Sequence, residues 1–220
     1  VRTINLRQVT GLMDEIAACK AKRTCGNLGV TELYFEPNPK TLDAWRSDGF
    51  YREGIDTRLM FLAERPSDRR GGRSDFEVNG QSGWRCWNTT VQDRRFAEMR
   101  GKYGFENCLI SNVIKCGLKG GKASVPLSAR AAKSCSGFLI KEVELVRPAV
   151  IACLGRRAFD IFLAYTLPYL SYTPLPVYLT HYSARFDPAN AWAEEMTVIK
   201  TALEKRGLAP DAPSFAKIIS

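Results

Sequence analysis

The chain has 220 residues, 45% of them hydrophobic and 25% charged, with seven cysteines, one histidine and a formal net charge of +9. That length fits one domain with a sizeable core, so a single domain over residues 1–220 is expected. The composition excludes disordered, collagenous and coiled-coil chains, no apolar run is long enough to span a membrane, and the charge favours a polyanionic partner.

The elements follow in chain order. Residues 6–18 carry Leu6, Val9, Leu12, Met13 and Ile16 at helical spacing. Four short, charge-free runs read as buried parallel strands: Leu59–Ala63, Cys108–Ile114, Ala149–Leu154 and Pro176–Thr180. The stretch 65–90 is polar and rich in Gly and Arg, and it is too long for an ordinary connection. Residues 129–146 form a helix with Cys135, Leu139, Val143 and Val146 on one face, Ser128 as N-cap and Pro148 as the stop. Residues 156–165 and 189–206 are helical as well. The alternation predicts an α/β fold, a three-layer α/β/α sandwich around a four-stranded, mostly parallel sheet.

The basic residues cluster where those strands end. Arg69, Arg70 and Arg73 follow the first strand; Lys115, Lys119 and Lys122, interleaved with glycines, follow the second. Arg156 and Arg157 follow the third, and Arg185 follows the fourth. Ligands of open α/β sheets bind beyond the carboxyl ends of the strands. A basic, glycine-rich edge there suits a phosphate backbone, although surface loops are often basic without binding one.

The N-terminus shows no signal-peptide pattern, so an intracellular protein without disulfides is expected. Cys108 and Cys153 fall inside strands and read as core thiols; Cys86 lies in the long loop. Cys19 and Cys25 follow the first helix, Cys116 follows a strand, and Cys135 lies on the next helix. From spacing alone these four are either scattered thiols or a thiolate site for iron–sulfur or zinc.

Several segments together carry a resemblance. Asn112-Val113-Ile114-Lys115-Cys116 is followed by Cys135-Ser136-Gly137-Phe138-Leu139, and then by Arg147-Pro148-Ala149-Val150-Ile151 running into Leu154-Gly155-Arg156. In order and spacing they resemble the iron–sulfur (family 4) uracil-DNA glycosylases. Leu62-Ala63-Glu64-Arg65-Pro66-Ser67 is similar to that family's Gly-Glu-Ala-Pro-Gly motif, and His181-Tyr182-Ser183-Ala184 to its His-Pro-Ser motif. There are departures. Five residues separate Cys19 from Cys25 where the family usually has two; Arg65 and Ser67 replace Ala and Gly; Tyr182 replaces Pro. The chain reads as a divergent member.

The resemblance implies a [4Fe–4S] cluster on Cys19, Cys25, Cys116 and Cys135, with zinc as the competitor. It implies hydrolysis of the deoxyuridine N-glycosidic bond in single- or double-stranded DNA by a monomer, with uracil as product and no lyase step. The target base must leave the stack and enter a pocket. Asn112 would read uracil through its amide, and His181 would stabilise the departing anion. Glu64 would place water. Arg65 stands where related families carry an acidic or amide group for water activation, and an arginine cannot act as a base. Trp87, or Trp84 or Phe76, would stack on the base, and Arg65 and Ser67 would line the pocket. Ser183 would bind a phosphate, and Arg185 and Phe186 would wedge into the vacated stack. Two other readings stay open: a glycosylase for another deaminated base such as hypoxanthine, or a tight abasic-site binder; and a non-catalytic nucleic-acid-binding protein with a structural metal.

Overall fold

The computed structural model describes residues 6–17, 19, 33–34, 56–64, 91–105, 108–115, 117–118, 129–182 and 189–206. Its elements are α1 (Leu6–Ala17), β1 (Leu33–Tyr34), β2 (Asp56–Ala63), α2 (Val91–Lys102), β3 (Cys108–Asn112), β4 (Gly117–Leu118), α3 (Ala129–Val146), β5 (Val150–Leu154), α4 (Arg156–Tyr165), β6 (Leu175–Leu179) and α5 (Ala189–Arg206). A 3-10 turn at Leu167–Tyr169 separates α4 from β6.

Four strands form one sheet in the order β3-β2-β5-β6, and every neighbouring pair is parallel. The expected α/β architecture is therefore present. The central strands β2 and β5 are apolar and covered on both faces; Leu59, Phe61, Val150 and Cys153 are fully buried. β6 is an edge strand, which tolerates Pro176 and leaves Tyr178 exposed. Burial pushes the Cys153 thiol up, as for an inert core cysteine.

From β2 the chain steps outward to β3, then crosses back past β2 to β5 and on to β6. Right-handed crossovers place α2 on one face and α3 and α4 on the other. The packing agrees: Phe96 of α2 meets Trp192 of α5, while α3 packs against both α1 and α4. The reversal of direction puts the topological switch point between β2 and β5.

Strand and helix bounds agree with expectation to within a few residues. α3 stops where Arg147 turns into left-handed backbone (φ 52°) immediately before Pro148. Two elements carry no clear signal in the sequence. Helix α2 is strongly polar, and among its described side chains Phe96 and Met99 are buried. The two-residue ribbon of β1 with β4 pairs Leu33 with Leu118 and Tyr34 with Gly117.

Candidate functional site

The carboxyl ends of β2, β3, β5 and β6 bring Glu64, Asn112, the Gly155–Arg157 turn and His181 to one edge of the sheet. Asn112 pairs in register with Ala63, which places it beside the residue that leads into Glu64. The chain after β3 stays tied to the same place: Val113 N–H donates to Ala63 O at 2.8 Å, and Ile114 N–H to Glu64 O at 2.9 Å.

Asn112 is 2% exposed, and its Oδ1 accepts no hydrogen bond. A buried acceptor without a donor costs about 1–3 kcal/mol. Proteins satisfy nearly all such groups with protein, water or ligand donors, so this acceptor at the mouth of the sheet is open to an incoming donor.

Glu64 faces Arg157 from the first turn of α4, Oε1 to Nη1 at 3.7 Å, across the switch point. Both side chains are partly exposed, so the pair adds little stability. It does bring a cation and a carboxylate together over the crevice.

His181 is held by its neighbours in the chain. Thr180 N–H and Oγ1 both donate to the Glu195 carboxylate at 2.8 Å, and Trp192 Nε1 donates to Thr180 O at 2.6 Å. On the other side of His181, Tyr182 is buried in the core. The imidazole also lies against Gly155. A Cβ there would sit 3.3 Å from His181 Cβ and 3.5 Å from Cδ2, and Gly155 has φ +87°. Only glycine adopts that backbone readily and leaves room for the ring. Burial holds the imidazole below the usual histidine range, with the Glu64 carboxylate pulling the other way. His181 is therefore neutral at neutral pH, able to donate one hydrogen bond.

Lys115 departs from expectation. Instead of pointing along a basic edge, it is 1% exposed. Its Nζ pairs with Glu142 Oε2 on α3 and donates to Ser111 Oγ at 2.9 Å, while Ser111 Oγ donates to Glu142 Oε2 at 2.7 Å. The charge neutralises a buried carboxylate and is not offered to a phosphate backbone. Arg156 does lie on the surface, in a solvent-exposed pair with Asp160 at 2.9 Å.

Of the four expected thiolate ligands, Cys135 is buried on α3 and Cys19 is half-buried just past α1. The exposed pair of Lys141 with Glu15 joins those two helices. Cys25 and Cys116 lie outside the described residues, and among the described residues no three metal-ligating side chains cluster. Also outside are Arg65, Ser67, Arg69, Arg70, Arg73, Phe76, Trp84, Trp87, Lys119, Lys122, Ser183, Arg185 and Phe186.

Sequence reasoning missed Arg157 as the partner of Glu64, the Thr180–Glu195 clamp and the buried ion pair. Only the last had a signal: Glu142 falls on the apolar stripe of α3, three residues after Leu139.

Fold and edge together define an open, doubly wound α/β protein with a polar site at its switch point, the class in which ligands are bound beyond the strand ends. The family model described as the uracil DNA glycosylase superfamily matches residues 29–200. The chain belongs to that superfamily, whose members are DNA glycosylases, hydrolases of the bond between base and sugar. Comparison with the curated proteins finds no match. Among the described residues no helix is long and apolar enough to cross a membrane.

Proposed function

We propose that this chain hydrolyses the N-glycosidic bond of deoxyuridine in DNA, releasing uracil and leaving an abasic site. The observation that carries the reading is the orphaned, buried Oδ1 of Asn112 at the end of β3. The uracil edge presents an N3–H donor beside the O4 acceptor. An asparagine amide complements that pair, its Oδ1 accepting from N3–H and its Nδ2 donating to O4. Cytosine carries the opposite pattern, an acceptor N3 and a donor amino group, and would leave the buried amide unpaired.

Bond breaking leaves negative charge on the base and positive charge on the sugar. A neutral His181 donates to the uracil O2 as that charge develops, and needs no proton transfer to do so. Its depressed proton affinity suits this role, because a donor that stays neutral does not bind the ground-state base through charge. Glu64 places the attacking water on the sugar side and offers its charge to the cationic sugar. Arg157 restrains that carboxylate. Trp87, with Trp84, would stack on the flipped base, and Arg65 and Ser67 would line the pocket. The exposed Arg156 joins Arg69, Arg70, Arg73, Lys119, Lys122, Ser183 and Arg185 in holding the DNA backbone, with Phe186 filling the vacated stack.

Cys19, Cys25, Cys116 and Cys135 would hold a [4Fe–4S] cluster, and the donor set of four thiols without imidazole fits it. The packing of α1 against α3 supports that grouping, as does the pairing of β1 with β4, which returns the chain after Cys25 to the residues just past Cys116. A cluster held there would supply a structural cross-link between the N-terminal helix and the strand-end edge.

Purified protein is incubated with uracil-, hypoxanthine- and undamaged oligonucleotides, single- and double-stranded, and abasic sites are revealed by alkali. Cleavage confined to uracil strands supports the reading. Absence of cleavage on uracil DNA refutes it, and preferential cleavage at hypoxanthine reassigns the base.

A further inference from the structure

We infer that Tyr182 is a positioning residue for His181, its ring stacked between the imidazole and Phe96 so that the helix α2 sets the aim of the histidine. The inference rests on the glycosylase reading for its functional consequence, but not for its geometry.

Tyr182 is 8% exposed. Its ring lies 4.4 Å from the imidazole with an interplanar angle of 24°, and 5.0 Å from the Phe96 ring at 29°. Phe96 is in turn braced edge-on by Phe61 of the central strand β2 at 5.5 Å and by Trp192 of α5 at 5.8 Å, both at 90°. The Arg100 guanidinium lies 4.9 Å from the centre of the Phe96 ring. A continuous column of rings thus runs from the core to His181.

Offset stacking fixes the plane of a ring as well as its place, and rigid aromatic neighbours leave few alternative rotamers. A Cβ at position 155 would meet His181 Cβ and Cδ2, so the ring has room only beside a glycine, and the Thr180–Glu195 clamp holds the residue before it. The imidazole is therefore packed by Tyr182 and would be crowded by any side chain at position 155, and it feels the Glu64 carboxylate. At this position the resembling motif has proline, which would restrain the backbone after the histidine. Here the restraint acts on the imidazole itself, through a side chain.

The same column explains why α2 forms despite its polarity. Its principal anchor, Phe96, is the support of Tyr182, so packing rather than propensity fixes the helix.

The test uses Tyr182→Leu, Tyr182→Phe and Phe96→Leu, each checked for folding by its thermal melt. His181 is the only histidine in the chain, so its imidazole NMR signals need no assignment. Among the described residues, the charge acting on it is the Glu64 carboxylate, with Arg157 beside that carboxylate, and Tyr182 stacks on it. In Tyr182→Leu the imidazole midpoint should rise toward the usual histidine value as water reaches the ring. The kcat for uracil release should fall by roughly tenfold to a hundredfold, with KM little changed, as expected of a misaimed rather than missing group. Tyr182→Phe should rescue both, and Phe96→Leu should fall between. The inference is overturned if Tyr182→Leu keeps the wild-type kcat and midpoint, or if Tyr182→Phe loses as much as Tyr182→Leu. Should the wild type release no uracil, the glycosylase reading fails, while the imidazole titration of the three variants still decides whether the stack holds the ring.

Discussion

Lys115 separates a reading from charge alone from one based on burial. On charge alone it belongs to the DNA-binding edge. In the structure its ammonium and the Glu142 carboxylate are each 1% exposed and share Ser111. Removing one member leaves the other charge buried without its partner, a loss of about 3–5 kcal/mol. For a chain of this size each kcal/mol is roughly 2–4 °C in Tm, so Lys115→Met or Glu142→Gln should melt about 6–20 °C early. The double variant Lys115→Met/Glu142→Leu removes both charges and fills the space with apolar atoms, and it should be more stable than either single variant. Thermal and urea unfolding measure these differences, and salt titration of DNA binding supplies the control. A phosphate-contacting lysine would lower the slope of log affinity against log salt by about 1 when removed. Lys115→Met should leave that slope unchanged. A reduced slope with unaltered stability would refute the buried-pair account and return Lys115 to the DNA edge.

Three further outcomes follow from the site. Gly155→Ala places a methyl group 3.3 Å from His181 Cβ on a backbone with φ +87°. It should cost about 1–2 kcal/mol in strain and slow uracil release, and a variant with wild-type melt and rate contradicts the close approach. The second concerns pH. Burial lowers the proton affinity of His181 in the folded state, so the unfolded chain takes up a proton first as pH falls. Its contribution to stability is complete above the usual histidine value of 6.5 and is lost as pH drops below it toward the folded value. Urea unfolding on either side of that pH should show the loss in the wild type and a smaller one in His181→Asn; equal losses contradict the assignment. Third, if the four thiols hold an iron–sulfur cluster, the protein is brown, with iron and acid-labile sulfide in equal amounts. Cys135→Ser should lose the colour and destabilise the contact of α1 with α3. A colourless protein with stoichiometric zinc overturns the cluster.

The sheet was readable because its central strands are buried on both faces, and uninterrupted apolar runs such as Leu59–Ala63 have few other uses. Helices α3 and α4 were equally clear, each carrying an apolar stripe at helical spacing and beginning or ending at a recognisable residue. Helix α2 was not, because the burial of Phe96 and Met99 outweighs its polar sequence, and no local pattern reports a contact with Trp192 or Tyr182. The site divides in the same way. Glu64, Asn112 and His181 were accessible through motifs at strand ends, and the sheet does gather those ends at one edge. What fixes them was hidden: the Arg157 pair, the Glu195 clamp and the ring column all join residues far apart in the chain. Charge counting misled at Lys115 because it assigns every lysine to the surface, and the partner that buries this one is on α3.

On the proposed reading, Asn112 keeps a hydrogen bond unmade in the free protein and makes it to uracil. Asn112→Leu separates the two consequences, with stability and single-turnover uracil release measured on the same sample. An apolar side chain of similar volume removes an unsatisfied buried acceptor, so Tm should stay level or rise, by the equivalent of up to about 1–3 kcal/mol. Uracil release should fall by at least roughly a hundredfold, as a site built to pair a polar edge loses its partner. A variant that melts early and still releases uracil at the wild-type rate would contradict the account.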